Sequence, residues 1–384
     1  MVEVRQVKTK KEFKKFVKFP TELYKGNPYY VPPFEIDELN LTNPKKNASF
    51  EDTDAIYFLA YRDGKVVGRI AVLISRLYNI KNNAKRARFS RFDLIDDAEV
   101  ANALFKAGED WARSMGMEDI HGPLGFNDLE REGLLTYGFD TIGTYQGSWN
   151  AEYYEKHILA NGYQPDTRWV EWRIPVPKEI NPKLEKMAGV ISRRYGFYEK
   201  QFKNPKEIID RYGKEFFKVL DESFVNLYGT IPFTDKLVDQ TIKSFKMILD
   251  KDYVSIICDK DDNIVGYGLG YPSIARPMIK SRGRFLPFGI FRLLKAIKKP
   301  KYIELGLIAV KPEHQHKGVT ALIIYNMLKR IKENGIISAD TGCQLEDNKA
   351  VINALDMFDR ELVRRKVCYL KRLCHNKWLI FDEK

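Results

Sequence analysis

The chain contains 384 residues, of which 44% are hydrophobic and 13% aromatic, values typical of a globular protein and not of a disordered one. This length allows two domains of ordinary size, and no apolar run approaches the ~20 residues that a membrane-spanning helix needs. The first residues lack the apolar segment and cleavage site of a secretory signal, and the four scattered cysteines form no C-x-x-C pair. We therefore predict a protein of the reducing cytoplasm, without a disulfide framework or a zinc site.

The net charge of +12 is concentrated in one segment. Residues 276–301 contain nine lysines and arginines and no acidic residue, which leaves only +3 for the rest of the chain. Phe288, Phe291, Leu294 and Ile297 lie between these basic residues. Three interpretations remain open: a core-packing helix with a solvated basic face, which is the commonest case, peripheral contact with an anionic membrane, or an anionic substrate or nucleic acid. Nucleic acid is not the partner that we expect.

In chain order, the first half begins with a short amphipathic helix and a strong hairpin. Residues 8–19 place their phenylalanines on one side and lysines opposite. Two β-branched and aromatic segments then flank an Asp63-Gly64 turn, the pattern of an antiparallel hairpin. The next predicted elements are a strand over RFSRFDLI, a helix capped by Asp96 or Asp97, a short strand before Gly122-Pro123, a helix over 150–161 and a strand over TRWVEWRIPV.

The second half repeats this order of elements. A linker is predicted at 174–182, where three prolines fall in nine residues. Helical segments follow, and then a second hairpin, strand, helix, strand, helix and strand. We predict an α/β fold of two similar units, residues 1–175 and 176–384, each a mixed, mostly antiparallel sheet flanked by helices. The alternative is one large α/β domain in which the hairpins coincide by chance.

The most informative stretch is 302–345, which reads as a strand, a polar loop with one glycine, an amphipathic helix and a second strand. A loop between a strand and a helix N-terminus directs amide groups and the positive end of the helix dipole at one point. The stretch therefore predicts a site for a phosphate-bearing cofactor.

Three pieces of sequence resemble the GNAT superfamily of N-acetyltransferases. They are the strand IELGLIAV with Lys311-Pro312-Glu313, the loop Gln315–Thr320, which matches Q/R-x-x-G-x-G/A, and the acidic-Asn sequence Glu346-Asp347-Asn348. The whole chain, including NPYYVPP and GPLGFN, is also similar to a bacterial group of such proteins of about this length. The three pieces that match the GNAT superfamily span about a third of the chain and follow one another in the family's order.

The resemblance implies acetyl-coenzyme A as co-substrate, with its diphosphate at the loop and its pantetheine along the strand edge. Gly318 would permit close approach, and the neighbouring amides would face the phosphates. The residues expected to bind it are Ile308, Ala309, Val310, Gln315, His316, Lys317, Gly318, Val319 and Thr320.

The chain departs from the family pattern at several positions. Thr320 stands where the family has a smaller residue, and Leu355 stands where many relatives place a tyrosine that protonates the leaving thiolate. The usual Gly-Phe after this helix is replaced by FDREL. Coenzyme A thiolate is a good leaving group, so these departures affect the catalytic assignment more than the cofactor assignment.

The candidate catalytic residues are Glu304 and Asn348. Glu304 lies on the strand that leads to the cofactor loop and could accept the ammonium proton, or it could be a solvated strand charge. Asn348 is placed to cap its helix as well as to contact substrate. No metal site is predicted at His314 and His316, because no carboxylate or thiol pattern completes one. Cys343 is interpreted as a core residue and not a nucleophile.

The first unit lacks the glycine loop. FDLIDDAEVANAL stands in its place, and its acidic side chains would repel a diphosphate. We expect this unit to bind no cofactor and to shape the substrate cleft. GPLGFNDLEREGLLTYGFD is interpreted either as a wall of that cleft or as an ordinary surface loop.

The leading hypothesis is a cytoplasmic acyltransferase that moves an acetyl group from acetyl-coenzyme A to a primary amine of a small molecule or peptide. A non-catalytic acyl-coenzyme A binder is the first alternative, favoured by the missing tyrosine. A tandem aminoacyl transferase dependent on charged tRNA is the second, favoured by the duplicated fold and the basic segment. The sequence names neither the acceptor nor the oligomeric state.

Overall fold

One long sheet runs through the protein, as shown by a computed structural model that describes residues 1–246 and 248–373. The strands are β1 (Glu3–Gln6), β2 (Thr53–Arg62), β3 (Lys65–Ser75), β4 (Arg86–Leu94), β5 (Asp119–Gly122), β6 (Leu134–Tyr137), β7 (Gln164–Pro175), β8 (Tyr198–Glu199), β9 (Val254–Cys258), β10 (Ile264–Pro272), β11 (Tyr302–Val310), β12 (Ser338–Thr341), β13 (Gln344–Leu345) and β14 (Glu361–Arg372).

Helices cover this sheet, so the predicted α/β fold class with two GNAT-like units is confirmed. The helices are α1 (Lys10–Leu23), α2 (Glu35–Leu41), α3 (Arg76–Asn82), α4 (Ala98–Ser114), α5 (Tyr153–Ala160), α6 (Pro182–Tyr195), α7 (Pro205–Phe224), α8 (Asp235–Phe245), α9 (Ala275–Ser281), α10 (Gly289–Lys298), α11 (Val319–Glu333) and α12 (Lys349–Ala354). Within the described residues, no helix is both long and apolar enough to cross a membrane.

The two halves exchange their last long strands. The main sheet order is β1-β2-β3-β4-β5-β14-β7-β12-β11-β10-β9-β8, so β14 from the second half pairs with β5, and β7 from the first half pairs with β12. At the centre, β7 and β14 pair antiparallel with each other. The division into 1–175 and 176–384 stays a prediction, and neither segment would complete its sheet without the other.

Local sequence signals placed most elements correctly. Asp63 and Gly64 both adopt positive φ, as the tight hairpin turn requires. Asp97, one of the two predicted caps, accepts a hydrogen bond from the Val100 amide at the start of α4. The sequence analysis missed the short elements β1, α2, α3, β6 and β8, whose patterns are too short to show a period. Cys258, Cys343 and Cys368 are free thiols, and Cys374 lies outside the described residues.

Each half contains a parallel strand pair that separates beyond a β-bulge. In the second half the extra residue is Gly306 on β11, opposite the step from Leu269 to Gly270 on β10. In the first half the bulge on β4 includes Arg91, which has a φ of 47°. A bulge bends its strand and ends regular pairing, so the same feature opens a gap in both halves.

The residue at the bulge decides what fills the gap. The buried Arg91 guanidinium reaches two carboxylates, with Nε 3.0 Å from Glu38 Oε2 and Nη2 3.2 Å from Glu130 Oε2. Glycine at position 306 places no side chain in the corresponding gap. The gap of the first half therefore holds an ion-paired arginine and a cavity of only about 100 Å³, whereas glycine leaves the gap of the second half open.

A buried ion pair joins the exchanged strands at the centre of the sheet. Lys366 Nζ on β14 lies 2.5 Å from Glu171 Oε1 on β7, and the two side chains are 0% and 2% exposed. Burial disfavours the charged carboxylate, but Lys366 and Arg364 outweigh it and hold the pKa of Glu171 below its usual range. Each charge depends on the other because water cannot replace a lost partner.

We predict that Lys366→Met lowers the free energy of unfolding by about 3–5 kcal/mol, because it leaves the Glu171 carboxylate buried without its cation. The double variant Lys366→Met/Glu171→Leu should lose less, since no charge is then left unpaired. Urea unfolding at neutral pH measures both values. A single variant within about 1 kcal/mol of wild type would contradict the importance of this pair.

Candidate active site

An apolar cavity of about 420 Å³ lies where β11 separates from β12. The two strands pair in parallel only from Tyr302 with Ser338 to Leu305 with Thr341. Beyond that point β11 continues alone on this side, and α11, α12, α7 and the end of β7 enclose the gap. Much of the lining is apolar: Ile174, Val176, Ile324, Met327, Leu328, Ile331, Ala339, Leu355 and Phe358.

The structure brings most of the predicted cofactor-binding residues to this cavity. Six of the nine line it: Ile308, Ala309, Val310, Gln315, His316 and Thr320. Lys317, Gly318 and Val319 lie behind them. Lys317 Nζ is 2.9 Å from His314 Nδ1. Val319, the first residue of α11, is fully buried in the core.

Gly318 is required by the backbone and by packing. Its φ is 78°, which favours glycine, and an added Cβ would lie 2.6 Å from Ile191 Cδ1 on α6. A side chain at this position would strain the turn and displace α6. Substitution of Gly318 therefore would not isolate an effect on phosphate binding.

The N-terminus of α11 lies at the mouth of the apolar cavity. The segment Pro312–Lys317 forms a short 3-10 helix, and α11 begins at Val319 with no acidic residue in its first turn. The first amides of a 15-residue helix have no partner inside it, and they carry the positive end of its dipole. Gln315 and His316 are exposed here, which leaves room for a diphosphate.

A second, acidic cavity of about 190 Å³ lies on the other side of the same strand. Its acidic residues come from the first half: Asp128, Glu130 and Glu132 belong to the predicted wall segment GPLGFNDLEREG. The segment lines this cavity at 128–132, and its role as a wall of the substrate cleft stays a prediction. The sequence analysis did not single out these carboxylates, although three acids among glycines in a predicted wall were the available signal.

Two of these carboxyl groups, Asp128 and Glu132, form no ion pair with a described residue, although Arg88 lies near enough to act on the pKa of both. Glu130 is paired with Arg91, but the Asp128 Oδ1 atom is buried without a hydrogen-bond partner. Within the described part of the chain, the Glu132 carboxylate has neither an ion pair nor a hydrogen bond from protein. Burial and the proximity of Asp128 raise the pKa of Glu132 to about 8, and burial raises that of Asp128 to about 7.

The apolar and acidic cavities share a wall. Both are lined by Gly306, Leu307 and Ile308 of β11, by Gln344 of β13, and by Asn348 and Val351 at the start of α12. A group that reaches the end of the apolar cavity therefore arrives beside the unpaired carboxyl groups. This is the arrangement that transfer between two bound molecules requires.

The two predicted catalytic residues have different positions. Asn348 lines both cavities, and its side chain also accepts a hydrogen bond from the Val351 amide as the cap of α12. Glu304 is only 1% exposed and lines neither cavity. Its two oxygens accept hydrogen bonds from Ser273 Oγ at 2.7 Å and from the Tyr145 amide at 2.8 Å.

Burial raises the pKa of Glu304 to about 8 despite these two hydrogen bonds. The side chain joins the loop between β6 and α5 to the end of β10, which is a positioning role. Its assignment as general base stays a prediction.

The remaining candidates have structural surroundings. Burial raises the pKa of the Cys343 thiol, whose Sγ lies 3.3 Å from both Glu171 Oε1 and Lys366 Nζ, so this group is not an activated nucleophile. Leu355 lines the apolar cavity, where it offers no proton to a leaving group. Across residues 1–246 and 248–373, no cluster of three or more His, Cys, Asp or Glu side chains is placed to hold a metal ion.

Comparison with known proteins agrees with this fold. Residues 214–357, which include the whole separated strand pair, match the profile of the acetyltransferase (GNAT) family. This part of the chain thus resembles a GNAT domain, and the prediction of an N-acyltransferase is supported. A tandem GNAT protein from the clavulanic acid biosynthesis pathway, solved without AcCoA, superposes with a TM-score of 0.56 at 13% identity, covering 98% of this chain and 99% of that one.

Two curated proteins are similar over nearly the full length. The chain is 25% identical over 383 residues to Protein YghO of Escherichia coli (strain K12), covering 96% of this chain and 95% of that protein. It is 26% identical over 361 residues to Bacterial ceramide synthase of Caulobacter vibrioides (strain NA1000 / CB15N), covering 90% and 91%.

The N-terminus of α11 can be tested with a charge at its exposed edge. We predict that His316→Glu weakens binding of coenzyme A roughly three- to tenfold, because a carboxylate there opposes the diphosphate. His316→Gln, which adds no charge, should bind nearly as wild type does. Calorimetric titration with coenzyme A at low and high salt measures both. Equal weakening by the two variants, or none by either, would show that this helix end does not hold the phosphates.

Proposed function

We propose that this protein transfers an acyl group from a coenzyme A thioester to a primary amine. In this proposal the pantetheine and acyl group occupy the apolar cavity, and the amine enters the acidic cavity. The observation that carries the proposal is the wall that the two cavities share at Gly306–Ile308 and Asn348. An apolar site with a helix N-terminus at its mouth meets a site lined by unpaired carboxyl groups.

The carboxyl groups supply what an amine acceptor needs. A primary amine is an ammonium ion at neutral pH. This cation would bind between Asp128 and Glu132 and would give the two carboxyl groups the ion-pair partner that the protein does not provide. The ionised Glu132 carboxylate would then accept one ammonium proton, and the neutral amine would attack the thioester carbonyl. The N–C bond forms as the C–S bond breaks, the departing sulfur takes the second proton of the nitrogen directly or through water, and coenzyme A leaves as its thiol.

The length of the transferred acyl group distinguishes two candidate substrates. The family resemblance predicts acetyl, the smallest candidate. The apolar lining over Ile324, Met327, Leu328, Ile331 and Phe358 favours a longer chain, since such a lining provides no polar partner but buries methylene groups. Similarity to Bacterial ceramide synthase supports this second candidate, because a ceramide is the amide of a fatty acid and a long-chain amino alcohol.

The direct test of the proposal is thiol release from acetyl- and palmitoyl-coenzyme A in the presence of a panel of primary amines, with mass spectrometry of the amide. Short polyamines, amino sugars, peptide N-termini and long-chain amino alcohols cover the acceptor classes. Amine-dependent thiol release with a matching amide supports the proposal. Thiol release that no amine accelerates would contradict it, and a requirement for charged tRNA would support the aminoacyl transferase alternative.

We predict that Glu132→Gln lowers kcat by roughly 10²- to 10⁴-fold, the usual contribution of a general base. In wild type, kcat/KM should rise with pH up to about 8, the pKa of this carboxyl group, because only its ionised form accepts the proton. The variant should lose that limb of the pH profile. Glu304→Gln is the matched comparison: if it removes the limb instead, Glu304 is the base and our assignment is wrong.

Stability separates this role from a structural one. A carboxyl group whose folded-state pKa is raised keeps its proton while the unfolded chain loses it, so rising pH between about 4 and 8 costs stability. Glu132→Gln should therefore remove part of that loss and be at least as stable as wild type at pH 8, as judged by urea unfolding. A destabilised Glu132→Gln would indicate a carboxylate that the fold needs.

The length of the acyl group can be tested by narrowing the apolar cavity. We predict that Leu355→Phe lowers kcat/KM for palmitoyl-coenzyme A at least tenfold relative to acetyl-coenzyme A, because the ring occupies space that a long chain would use. Leu355→Met, of similar volume to leucine, is the control. An unchanged ratio of the two substrates in Leu355→Phe would show that the acyl chain lies elsewhere.

A further inference from the structure

The basic segment exposes apolar side chains that the fold does not use. We call residues 284–299, the loop before α10 together with α10 itself, the basic face. Four of its large apolar side chains are exposed: Leu286 (77%), Phe288 (63%), Phe291 (68%) and Leu294 (44%). A core-packing helix with a solvated basic face, the first interpretation of the sequence, explains the buried side of α10. It does not explain why apolar side chains lie on the exposed side.

The other side of α10 is the one that packs. Leu293 is 2% exposed, and Ile290 and Ile297 lie beside it at helical spacing, against a cluster that includes Val31 and Phe34. Phe291 and Leu294 lie on the outward side with the lysines. The outward apolar residues are therefore not required to hold the helix in place.

The segment is firmly attached to the body of the protein. Phe285 stacks on Phe34 with ring centroids 4.3 Å apart, and the Glu35 amide donates a hydrogen bond to the Gly283 carbonyl at 3.1 Å. An attached helix that keeps phenylalanine and leucine in water is typical of a contact surface.

The charged side chains of the basic face itself are all positive. Among the described residues, Lys295, Lys298 and Lys299 take part in no ion pair, and residues 276–301 contain no acid that could neutralise them. Two arginines at the rim do pair with acids of the first half, Arg282 with Glu22 at 3.0 Å and Arg284 with Glu35 at 3.8 Å. The outward side thus combines an apolar patch with unneutralised lysines.

We propose that the basic face binds an anionic lipid bilayer. The exposed phenylalanines and leucines would enter the boundary between headgroups and acyl chains, and the lysines would contact anionic headgroups. The leucines favour a bilayer over nucleic acid, because stacking on bases uses aromatic rings while aliphatic side chains gain by leaving water. The absence of any acid in 276–301 also suits a surface of uniform negative charge.

The position of the face fits a substrate taken from a membrane, a point that rests on the proposed function. Ile142 and Tyr145 pack in the cluster beneath α9 and α10, and Thr144 and Gln146 of the same loop line the acidic cavity. Tyr271 also lines that cavity, only four residues before α9 begins. One loop therefore lies between the basic face and the acceptor site.

The test is flotation of the full chain with vesicles of phosphatidylcholine alone and with vesicles of equal parts phosphatidylcholine and phosphatidylglycerol. Wild type should bind the mixed vesicles and not the neutral ones, with binding that falls as salt rises. Phe288→Ser/Phe291→Ser and Lys295→Glu/Lys298→Glu should each weaken binding at least tenfold, and the lysine variant should lose the salt dependence.

The matched control is Lys329→Glu/Lys332→Glu, which reverses two exposed lysines at the same spacing on α11. It should bind mixed vesicles as wild type does. Failure of wild type to float with mixed vesicles at low salt would overturn the proposal, as would equal losses in the control and the test variants. Dimerisation that the Phe288→Ser/Phe291→Ser variant abolishes, without vesicle binding, would show that the occupant is a second copy. Activity on a water-soluble amine should be unchanged in all variants, so a failure of lipid binding remains distinct from a failure of the proposed reaction.

Discussion

The separation of β11 from β12 is the constraint on which the rest of the structure depends. The two strands pair for four residues and then part, because the bulge at Gly306 bends β11 away. Glycine has room there, whereas a Cβ would lie 3.0 Å from the Tyr271 ring. The open strand edge provides one cavity on each side. In the first half, Arg91 occupies the equivalent bulge and forms ion pairs in the equivalent gap, where a cavity of about 100 Å³ remains. This difference between the two gaps fits the proposed single transfer site.

The strand exchange makes the two halves a single unit around that gap. The second half contributes the apolar cavity and the helix N-terminus, while the first half contributes Asp128 and Glu132. Because β7 and β14 each complete the sheet of the other half, and Lys366 and Glu171 pair between them, the carboxyl groups are held at a fixed distance from β11. Donor and acceptor sites on separate domains would depend on a flexible interface.

Local patterns in the sequence predicted the elements, and chain-distant contacts decided the site. The hairpins, the cap at Asp97 and the loop before α11 are short-range features, so period and turn chemistry revealed them. The exchange of β7 and β14 could not be predicted, because either strand pairs equally well by pattern. Glu304 is an acid on the expected strand, but only tertiary contacts show that Ser273 and the Tyr145 amide already bind its oxygens. Asp128 and Glu132 line a cavity whose other walls include Gly306–Ile308 and Asn348, far along the chain, a relation that no local motif contains.

The measurement that tests the account most directly is a crystal structure of the protein with coenzyme A and an N-acylated amine product. The account predicts the diphosphate at the N-terminus of α11, the acyl chain among Leu328, Leu355 and Phe358, and the amide nitrogen facing Asp128 and Glu132. Coenzyme A bound away from the β11 gap, or an amide nitrogen directed away from both carboxyl groups, would contradict it.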